Sequence, residues 1–392
     1  MQQYVIRLKP GKVALLVAGL YLTITLALLW RIPSLNPQLQ TLPDRLFAFI
    51  HPGSNWDSNG ARPFNLEKIG YDGQFFYDLA LNPLQPATQL DRPSYREARL
   101  LYPLVVRLLS LGQAELVPLM LLLVNYGAIV ATTFLLARML ARLGSAPIWA
   151  LGYALWPGTL CAYLYDLSEP LCFLLITLAL GLFLTRPGAV WRIAVLLLLA
   201  SLTKELGLLF GAGWLLYYLN RREWTNLVKL GVGWLLPYAL WQGFLRLWLG
   251  QDGLSAGHPF NLFPLSGLWS AESYHPPLEE RFTIILATTV PLLWLCWRLR
   301  PFWNRKLVRF SAVYGDLLMP LLLCQGAFLL FLPTASYIYL VDHARNATGL
   351  LLVIYLLPTT FFRRLQVYCL LASVFLSAWV LGMYFVSGNA FI

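Results

Sequence analysis

The chain has 392 residues, of which 58% are apolar and only 12% are charged. A soluble domain carries roughly 25% charged residues, so this composition excludes an ordinary soluble protein and indicates one embedded in a membrane. The net charge of +11 does not indicate nucleic acid as a partner, because no basic run alternates with aromatic residues in a soluble module.

Apolar stretches long enough to cross a hydrocarbon core as helices follow one another along the whole sequence. The first, "VALLVAGLYLTITLALLW", is longer than the apolar region of a signal peptide, and no A-x-A-like cleavage site follows it. We predict an all-α polytopic membrane protein, a single transmembrane domain over residues 1–392. Between nine and twelve helices are expected, and eleven are placed at 13–30, 115–138, 147–163, 168–185, 190–203, 206–219, 227–249, 282–299, 314–333, 346–361 and 366–387.

The distribution of charge predicts the orientation of these helices. If the basic N-terminus is cytoplasmic, the cytoplasmic connections hold 17 of the 29 basic residues. Basic residues collect on the cytoplasmic side of membrane proteins, so the pattern favours this topology. Of the 18 acidic residues, only Glu223 and Asp316 share that face. The remaining acids lie on the extracytoplasmic face of what we expect to be a multi-pass protein of the plasma (inner) membrane.

Two long connections lie on the outer face. The first extracytoplasmic loop covers 31–114 and the second covers 250–281, whereas the cytoplasmic connections are short. Long ordered loops tend to carry function. Within the first, "RLLYPLVVRLLSLG" (99–112) is too short to span a membrane and is predicted to lie along its surface.

The segment "GYDGQFFYDLA" (70–80) in the first outer loop contains a carboxylate, Asp72, within an aromatic group that includes Tyr71 and Phe75. Aspartate is a favoured N-cap, and aromatic residues form belts at membrane interfaces, so capping and anchoring are one explanation. The alternative is a partly dry pocket in which the carboxylate acts as a general base. Asp57, in "NWDSNG", has the composition of an exposed turn and is a weaker candidate.

Two further segments place ionisable residues at outer helix ends. In "YDLSEPLCFLL", Glu169 fits ordinary helix-start chemistry, whereas Asp166 lies outside that need. In "ASLTKELGLLF", Lys204 and Glu205 occupy a tight turn between two short helices. They form either an interfacial ion pair or a site in which the lysine neutralises a phosphate.

The segment "YLVDHARNATG" places Asp342, His343 and Arg345 on the same outer face. This segment is either a solvated loop or a clamp in which Arg345 binds a phosphate or diphosphate. All five cysteines lie in apolar segments, so we expect neither a disulfide framework nor a cysteine zinc site. His258 and His275 lack a helical H-x-x-x-H spacing, and we predict no metal site.

These segments resemble the GT-C class of bacterial polytopic glycosyltransferases, including proteins related to mannosyltransferases of the PIG-V type. The resemblance rests on "GYDGQFFYDLA", "RLLYPLV", "DLSEPLCFLLITLAL" and "ASLTKELGLLF", and it covers roughly residues 65–220. Beyond them, "DHARNATGLLLVIYLLP" is only loosely similar to an outer arginine followed by an apolar helix that ends in proline.

The resemblance implies many membrane helices, a polyprenyl-phosphate-linked sugar as the donor, and an acidic residue in the first outer loop that acts on the acceptor hydroxyl or positions it. Asp72 matches that position and is the expected base, and Tyr71 stands where tryptophan is more usual. Asp166 and Glu169 match an acidic pair, and Lys204 matches a basic position. The chain has no D-x-D motif, so a divalent metal is unsupported.

We therefore expect a hexosyltransferase that acts at the extracytoplasmic face on a glycan, lipid or protein acceptor, with membrane lipid and lipid-linked sugar as partners and no further cofactor. The expected catalytic residue is Asp72, and the expected substrate-binding residues are Tyr71, Gln74, Phe75, Asp166, Glu169, Lys204, Glu205 and Arg345. Two other functions fit a polytopic chain. One is a transporter or flippase of lipid-linked sugars, which predicts ionisable sites near the middle of the membrane. The other is a non-catalytic assembly protein, which predicts that Asp72→Asn has no effect.

Overall fold

The computed structural model describes residues 8–53, 70–84, 90–268, 312–337, 339–357 and 359–387. All regular secondary structure in these ranges is helical, as predicted. Asp57, His275 and the predicted helix 282–299 lie outside them.

Sixteen α-helices follow one another through the described ranges. They are α1 (Pro10–Leu35), α2 (Leu42–Phe47), α3 (Asp72–Leu81), α4 (Pro93–Glu97), α5 (Leu101–Leu109), α6 (Val117–Arg142), α7 (Leu151–Ala154), α8 (Pro157–Leu164), α9 (Glu169–Thr185), α10 (Val190–Thr203), α11 (Leu206–Asn220), α12 (Trp224–Leu230), α13 (Leu236–Leu249), α14 (Ala312–Leu330), α15 (Leu340–Leu356) and α16 (Thr359–Ser387).

Three of the described helices are long and apolar enough to cross a membrane: α1, α6 and the Phe362–Ser387 part of α16. Helices α9, α10, α11 and the Asp316–Leu330 part of α14 are apolar but shorter. The length and composition of these helices are those of a membrane protein. The predicted count of eleven spans is not confirmed.

Two predicted helices differ from the structure in an informative way. The span predicted at 147–163 is a 3₁₀ turn, Pro147–Ala150, followed by the short helices α7 and α8. The break falls before Pro157, because proline disfavours a helical conformation in the preceding residue, and Trp156 is extended with ψ 132°. The span predicted at 346–361 begins earlier, so that the whole "DHAR" segment belongs to α15.

The helices form one bundle around a continuous apolar cluster. Helix α6 packs between α1 and α9, α10 packs against α9 and α11, and α11 packs against α14. Helix α15 packs against α8 and α14. The short helices of the first outer loop are attached to this bundle, since α3 contacts α5 and α6 while α4 contacts α13. This arrangement brings α3, α4, the turn between α10 and α11, and the start of α15 to one place.

Candidate functional site

The first turn of α3 lies directly against the connection between α8 and α9. A β-carbon on Gly73 would lie 2.3 Å from the backbone oxygen of Tyr165 and 2.7 Å from that of Ile50. Only glycine allows this close approach of two backbones. Gln74 makes a second attachment, because its Oε1 accepts a hydrogen bond from the backbone N–H of Gly53 at 2.9 Å. Gln74, predicted to bind substrate, is buried and holds the loop that precedes α3.

Asp72 is the first residue of α3, and its carboxylate faces three arginines. Nη1 of Arg96 lies 2.8 Å from Oδ1, while Nη1 of Arg99 and Nη2 of Arg345 lie 3.6 and 3.5 Å from Oδ2. The N-cap position belongs to Tyr71, whose side chain makes no capping hydrogen bond. Helix capping therefore does not account for Asp72, which is the meeting point of three guanidinium groups.

The charges around Asp72 determine its protonation state. Burial by itself would raise the pKa of Asp72, but the nearby charges of Arg96, Arg345, Arg99 and Lys204 outweigh it and hold that pKa well below its usual range. The carboxylate is therefore ionised at neutral pH and binds a proton only weakly.

Arg96 is held in place on three sides. Its Nε and Nη2 donate to the two carboxylate oxygens of Asp91 at 2.8 and 3.1 Å, and its Nη1 donates to Asp72. Its guanidinium carbon lies 4.0 Å from the ring centre of Phe75, which is a cation–π distance. Phe75, predicted to bind substrate, thus forms the platform under an arginine.

Arg99 lies one turn further along the chain and connects the first outer loop to the turn between α10 and α11. Its Nε and Nη2 donate to Oε2 and Oε1 of Glu205 at 2.9 and 2.8 Å, a bidentate pair with fixed geometry. Its guanidinium carbon lies 4.0 Å from the ring centre of Tyr95. Among the described residues, its Nη1 donates no hydrogen bond although the atom is buried. Arg99 is thus a fixed cation whose Nη1 faces Oδ2 of Asp72 at 3.6 Å without making a hydrogen bond to it.

Arg345 connects α15 to α9 and α3. Its Nε and Nη2 donate to Oε1 of Glu169 at 2.9 and 2.5 Å, and both side chains are less than a tenth exposed. Its Nη1 donates to the hydroxyl of Tyr71 and lies 3.3 Å from Oδ1 of Asp342, to which Tyr71 also donates. Breaking a buried ion pair by removing one partner typically costs about 3–5 kcal/mol, so these contacts fix the site strongly.

The backbone around Arg345 is fixed by α8. The indole Nε1 of Trp156 donates to the backbone oxygen of Ala344 at 2.6 Å. A β-carbon on Gly158 would lie 2.4 Å from that same oxygen, so a larger residue would push α15 away. The sequence that starts α8 therefore places Arg345.

Lys204 lies at the C-cap of α10 and is only 4% exposed. Its Nζ is 3.4 Å from Oε1 of Glu169 and 3.5 Å from Oε1 of Glu205. Both separations exceed the usual range of about 2.7–3.2 Å for an N–H···O hydrogen bond. The ammonium group is electrostatically paired but has room for closer acceptors.

These groups surround a cavity of about 530 Å³. Five basic and four acidic side chains are among the described residues that line it: Arg92, Arg96, Arg99, Lys204, Arg345, Asp72, Asp91, Glu205 and Asp342. Apolar and aromatic side chains form another part of the wall, with Leu208, Leu209, Tyr238, Phe260, Phe328 and Leu332. The cavity is thus amphiphilic, which suits a ligand with a charged head and an apolar tail.

The predicted site residues take different places around this cavity. Tyr71, Asp72, Lys204, Glu205 and Arg345 line it. Glu169 lies behind the wall, where it pairs with Arg345 and Lys204.

Asp166 is fully buried and is not among the lining residues. It follows the C-terminus of α8 with φ 49°, a left-handed conformation usual just after a helix end. Burial raises the pKa of Asp166 well above its ordinary value and so favours the neutral carboxyl.

Sequence reasoning missed Arg96 and Asp91. The segment "DRPSYREAR" contained a signal, because residues three apart such as Arg96 and Arg99 share a face of a helical turn. Within the described residues, no group of three or more His, Cys, Asp and Glu is arranged to hold a metal ion. His258 lines the cavity.

Comparison of the chain with protein-family models, with curated proteins and with solved structures finds no match.

Proposed function

We propose that this chain is a GT-C-type membrane glycosyltransferase that moves a hexose from a polyprenyl-phosphate donor to an acceptor hydroxyl. The observation that carries the proposal is one cavity in which buried cations with unused donor capacity adjoin both a carboxylate and an apolar wall. The acceptor belongs to a glycan, a lipid or a protein.

The phosphate of the donor fits between Arg99 and Lys204. Nη1 of Arg99 is buried and makes no hydrogen bond to a described residue, and Nζ of Lys204 has its carboxylate neighbours at 3.4 and 3.5 Å. Charge-assisted hydrogen bonds to phosphate oxygens would satisfy both groups. Because the two cations are already fixed by carboxylates, little side-chain freedom is lost when a phosphate binds.

The polyprenyl chain fits the apolar part of the wall. Leu208 and Leu209 lie in α11. Phe328 lies in α14, and Leu332 lies two residues beyond the end of that helix. Phe260 packs edge-on against Phe328 with ring centres 5.9 Å apart. A hydrocarbon tail here would bury apolar surface at roughly 25 cal/mol per Å².

In the proposed reaction the acceptor hydroxyl attacks C1 of the sugar while the bond from C1 to the phosphate oxygen breaks. The predicted role of Asp72 as base would be favoured if the donor phosphate drew an arginine away, because the guanidinium groups that face both of its oxygens lower its affinity for a proton. Its other role, consistent with the present contacts, is to hold the arginines and to position the acceptor by accepting a hydrogen bond. The proposal places this reaction at the extracytoplasmic face of the plasma (inner) membrane, with the N-terminus in the cytoplasm.

The test compares the purified protein with its Asp72→Asn variant on a panel of polyprenyl-phosphate hexoses, and it measures donor binding and release of polyprenyl phosphate separately. The wild type is expected to bind and consume one donor. The variant is expected to bind that donor but to release lipid phosphate about 10²–10⁴-fold more slowly. A wild type that binds none of the donors would refute the proposal.

The same assay separates the other functions. A flippase moves the lipid-linked sugar across a vesicle membrane and releases no polyprenyl phosphate. An assembly protein does neither, and Asp72→Asn leaves its behaviour unchanged.

A further inference from the structure

Two carboxylates of the cavity wall, those of Asp72 and Asp342, contact different nitrogens of Arg345, and their other contacts differ. Both oxygens of Asp72 face arginines, with Arg96 at 2.8 Å from Oδ1 and Arg345 at 3.5 Å from Oδ2. Asp342 uses a single oxygen: its Oδ1 accepts from Tyr71 and lies 3.3 Å from Nη1 of Arg345. Among the described residues, Oδ2 of Asp342 makes no hydrogen bond or ion pair.

An oxygen that receives a proton from substrate needs a free lone pair within the cavity. Asp342 lines the cavity and its side chain is 22% exposed, so substrate can reach its carboxylate. A proton on Asp72 would leave three buried arginines with one fewer counter-charge, which makes Asp72 the weaker proton acceptor.

We propose that Asp342 is the catalytic base of this cavity, and that Asp72 anchors the arginines and positions the acceptor. This assignment rests on the proposed transferase function and differs from the sequence prediction, in which Asp72 is the base.

The proposed step is a displacement at C1 of the sugar. The acceptor oxygen forms a bond to C1 of the sugar as its proton passes to Oδ2 of Asp342. The bond from C1 to the phosphate oxygen breaks, and its electron pair leaves with the polyprenyl phosphate. Arg99 and Lys204, which lie beside the phosphate subsite, stabilise the added negative charge. The proton then leaves Asp342 for solvent after product release.

The surroundings of Asp342 set the pH range in which it is ionised. Burial raises the pKa of Asp342 above its ordinary value, although Arg345 and Tyr71, which contact it directly, favour the charged form. The charged and titratable groups that face it from elsewhere are Asp72 on α3, Lys204 at the end of α10 and Cys161 on α8. Of these, only Lys204 favours a charged Asp342.

The experiment measures donor binding and the pH dependence of kcat/KM for wild type, Asp342→Asn and Asp72→Asn. Asp316→Asn is the matched control, because Asp316 pairs with Arg221 far from the cavity and is half exposed. We expect Asp342→Asn to bind donor with wild-type affinity, to lose about 10²–10⁴-fold in kcat/KM, and to lose the fall in rate at low pH. Asp72→Asn should be slower as well but should keep that acidic limb.

Tyr71→Phe gives a second measurement that does not depend on removing a carboxylate. Loss of the hydroxyl removes a hydrogen bond to ionised Asp342, so the acidic limb should move to higher pH. The assignment is overturned if Asp342→Asn keeps the wild-type rate, if it keeps the acidic limb while Asp72→Asn loses it, or if the limb of Tyr71→Phe does not move. These results leave the transferase proposal standing, whereas a wild type without donor binding overturns both.

Discussion

Lys204→Met is the sharpest test of the phosphate subsite. Methionine keeps the apolar stem of the side chain and removes the ammonium group. The fold should tolerate this, because Glu169 keeps two contacts to Arg345 at 2.9 and 2.5 Å and Glu205 keeps two contacts to Arg99 at 2.9 and 2.8 Å. No carboxylate is left without a cation. The substitution should therefore weaken the binding of the ligand rather than the fold. One charge-assisted hydrogen bond contributes about 1.5–3 kcal/mol to that binding.

That energy corresponds to a rise of roughly 10- to 100-fold in the Kd for polyprenyl phosphate, measured by titration of the purified protein at constant salt. Lys12→Met is the control, because Lys12 is exposed in the first turn of α1 and its substitution removes the same charge at a different place. Thermal unfolding checks that both variants remain folded. If Lys204→Met binds polyprenyl phosphate as tightly as Lys12→Met does, the phosphate is not held by Lys204 and the proposed subsite is wrong.

Two further substitutions probe the frame around the site. Gly73→Ala places a methyl group 2.3 Å from the backbone oxygen of Tyr165, so α3 must shift. Although alanine is the better helix former, we expect turnover to drop at least tenfold. Normal turnover would show that α3 is not packed tightly against Tyr165. Asp166→Asn should stabilise the protein at high pH. Because the folded-state pKa of Asp166 is raised, the wild type loses up to about 1.4 kcal/mol of stability per pH unit above the unfolded pKa, until the folded pKa is reached. Asparagine cannot ionise and tolerates the left-handed backbone at φ 49°, so its advantage in thermal unfolding should widen as the pH rises above the ordinary pKa of an aspartate. A difference that does not change with pH would mean that the fold does not raise the pKa of Asp166.

Much of the site's location could be predicted because charge is so scarce in this chain. A buried apolar bundle tolerates ionisable groups only at helix ends or in pairs, so Asp72, Lys204, Glu205 and Arg345 were visible against their surroundings. The structure places all four around one cavity. We expected them to lie close together because the asymmetry of basic residues predicts that they share one membrane face.

The pairing of those charges could not be predicted, because it depends on how short helices pack. Arg96 reaches Asp72 only because α4 lies beside α3, with Phe75 beneath the guanidinium. Phe75 and Gln74 share a helix with Asp72, yet their side chains support the loop and the arginine. Asp166 lies only three residues before Glu169, but the left-handed turn after α8 directs the chain so that Asp166 is buried away from the cavity. Sequence spacing does not show such a turn when the residue is not glycine.

The charge balance of the cavity bears on how it would promote transfer. Five basic and four acidic side chains line it among the described residues, and Glu169 behind the wall pairs with two of the five cations, so the cluster is close to neutral overall. A phosphodiester-linked donor carries one negative charge, and the leaving phosphate gains a second as the sugar departs. In the proposed subsite, Nη1 of Arg99 and Nζ of Lys204 contact the phosphate and bind it more tightly as this second charge develops. Groups that bind more tightly as charge develops stabilise the transition state more than the bound donor, and only that difference accelerates the chemical step. Removing Lys204 should therefore reduce kcat as well as donor affinity.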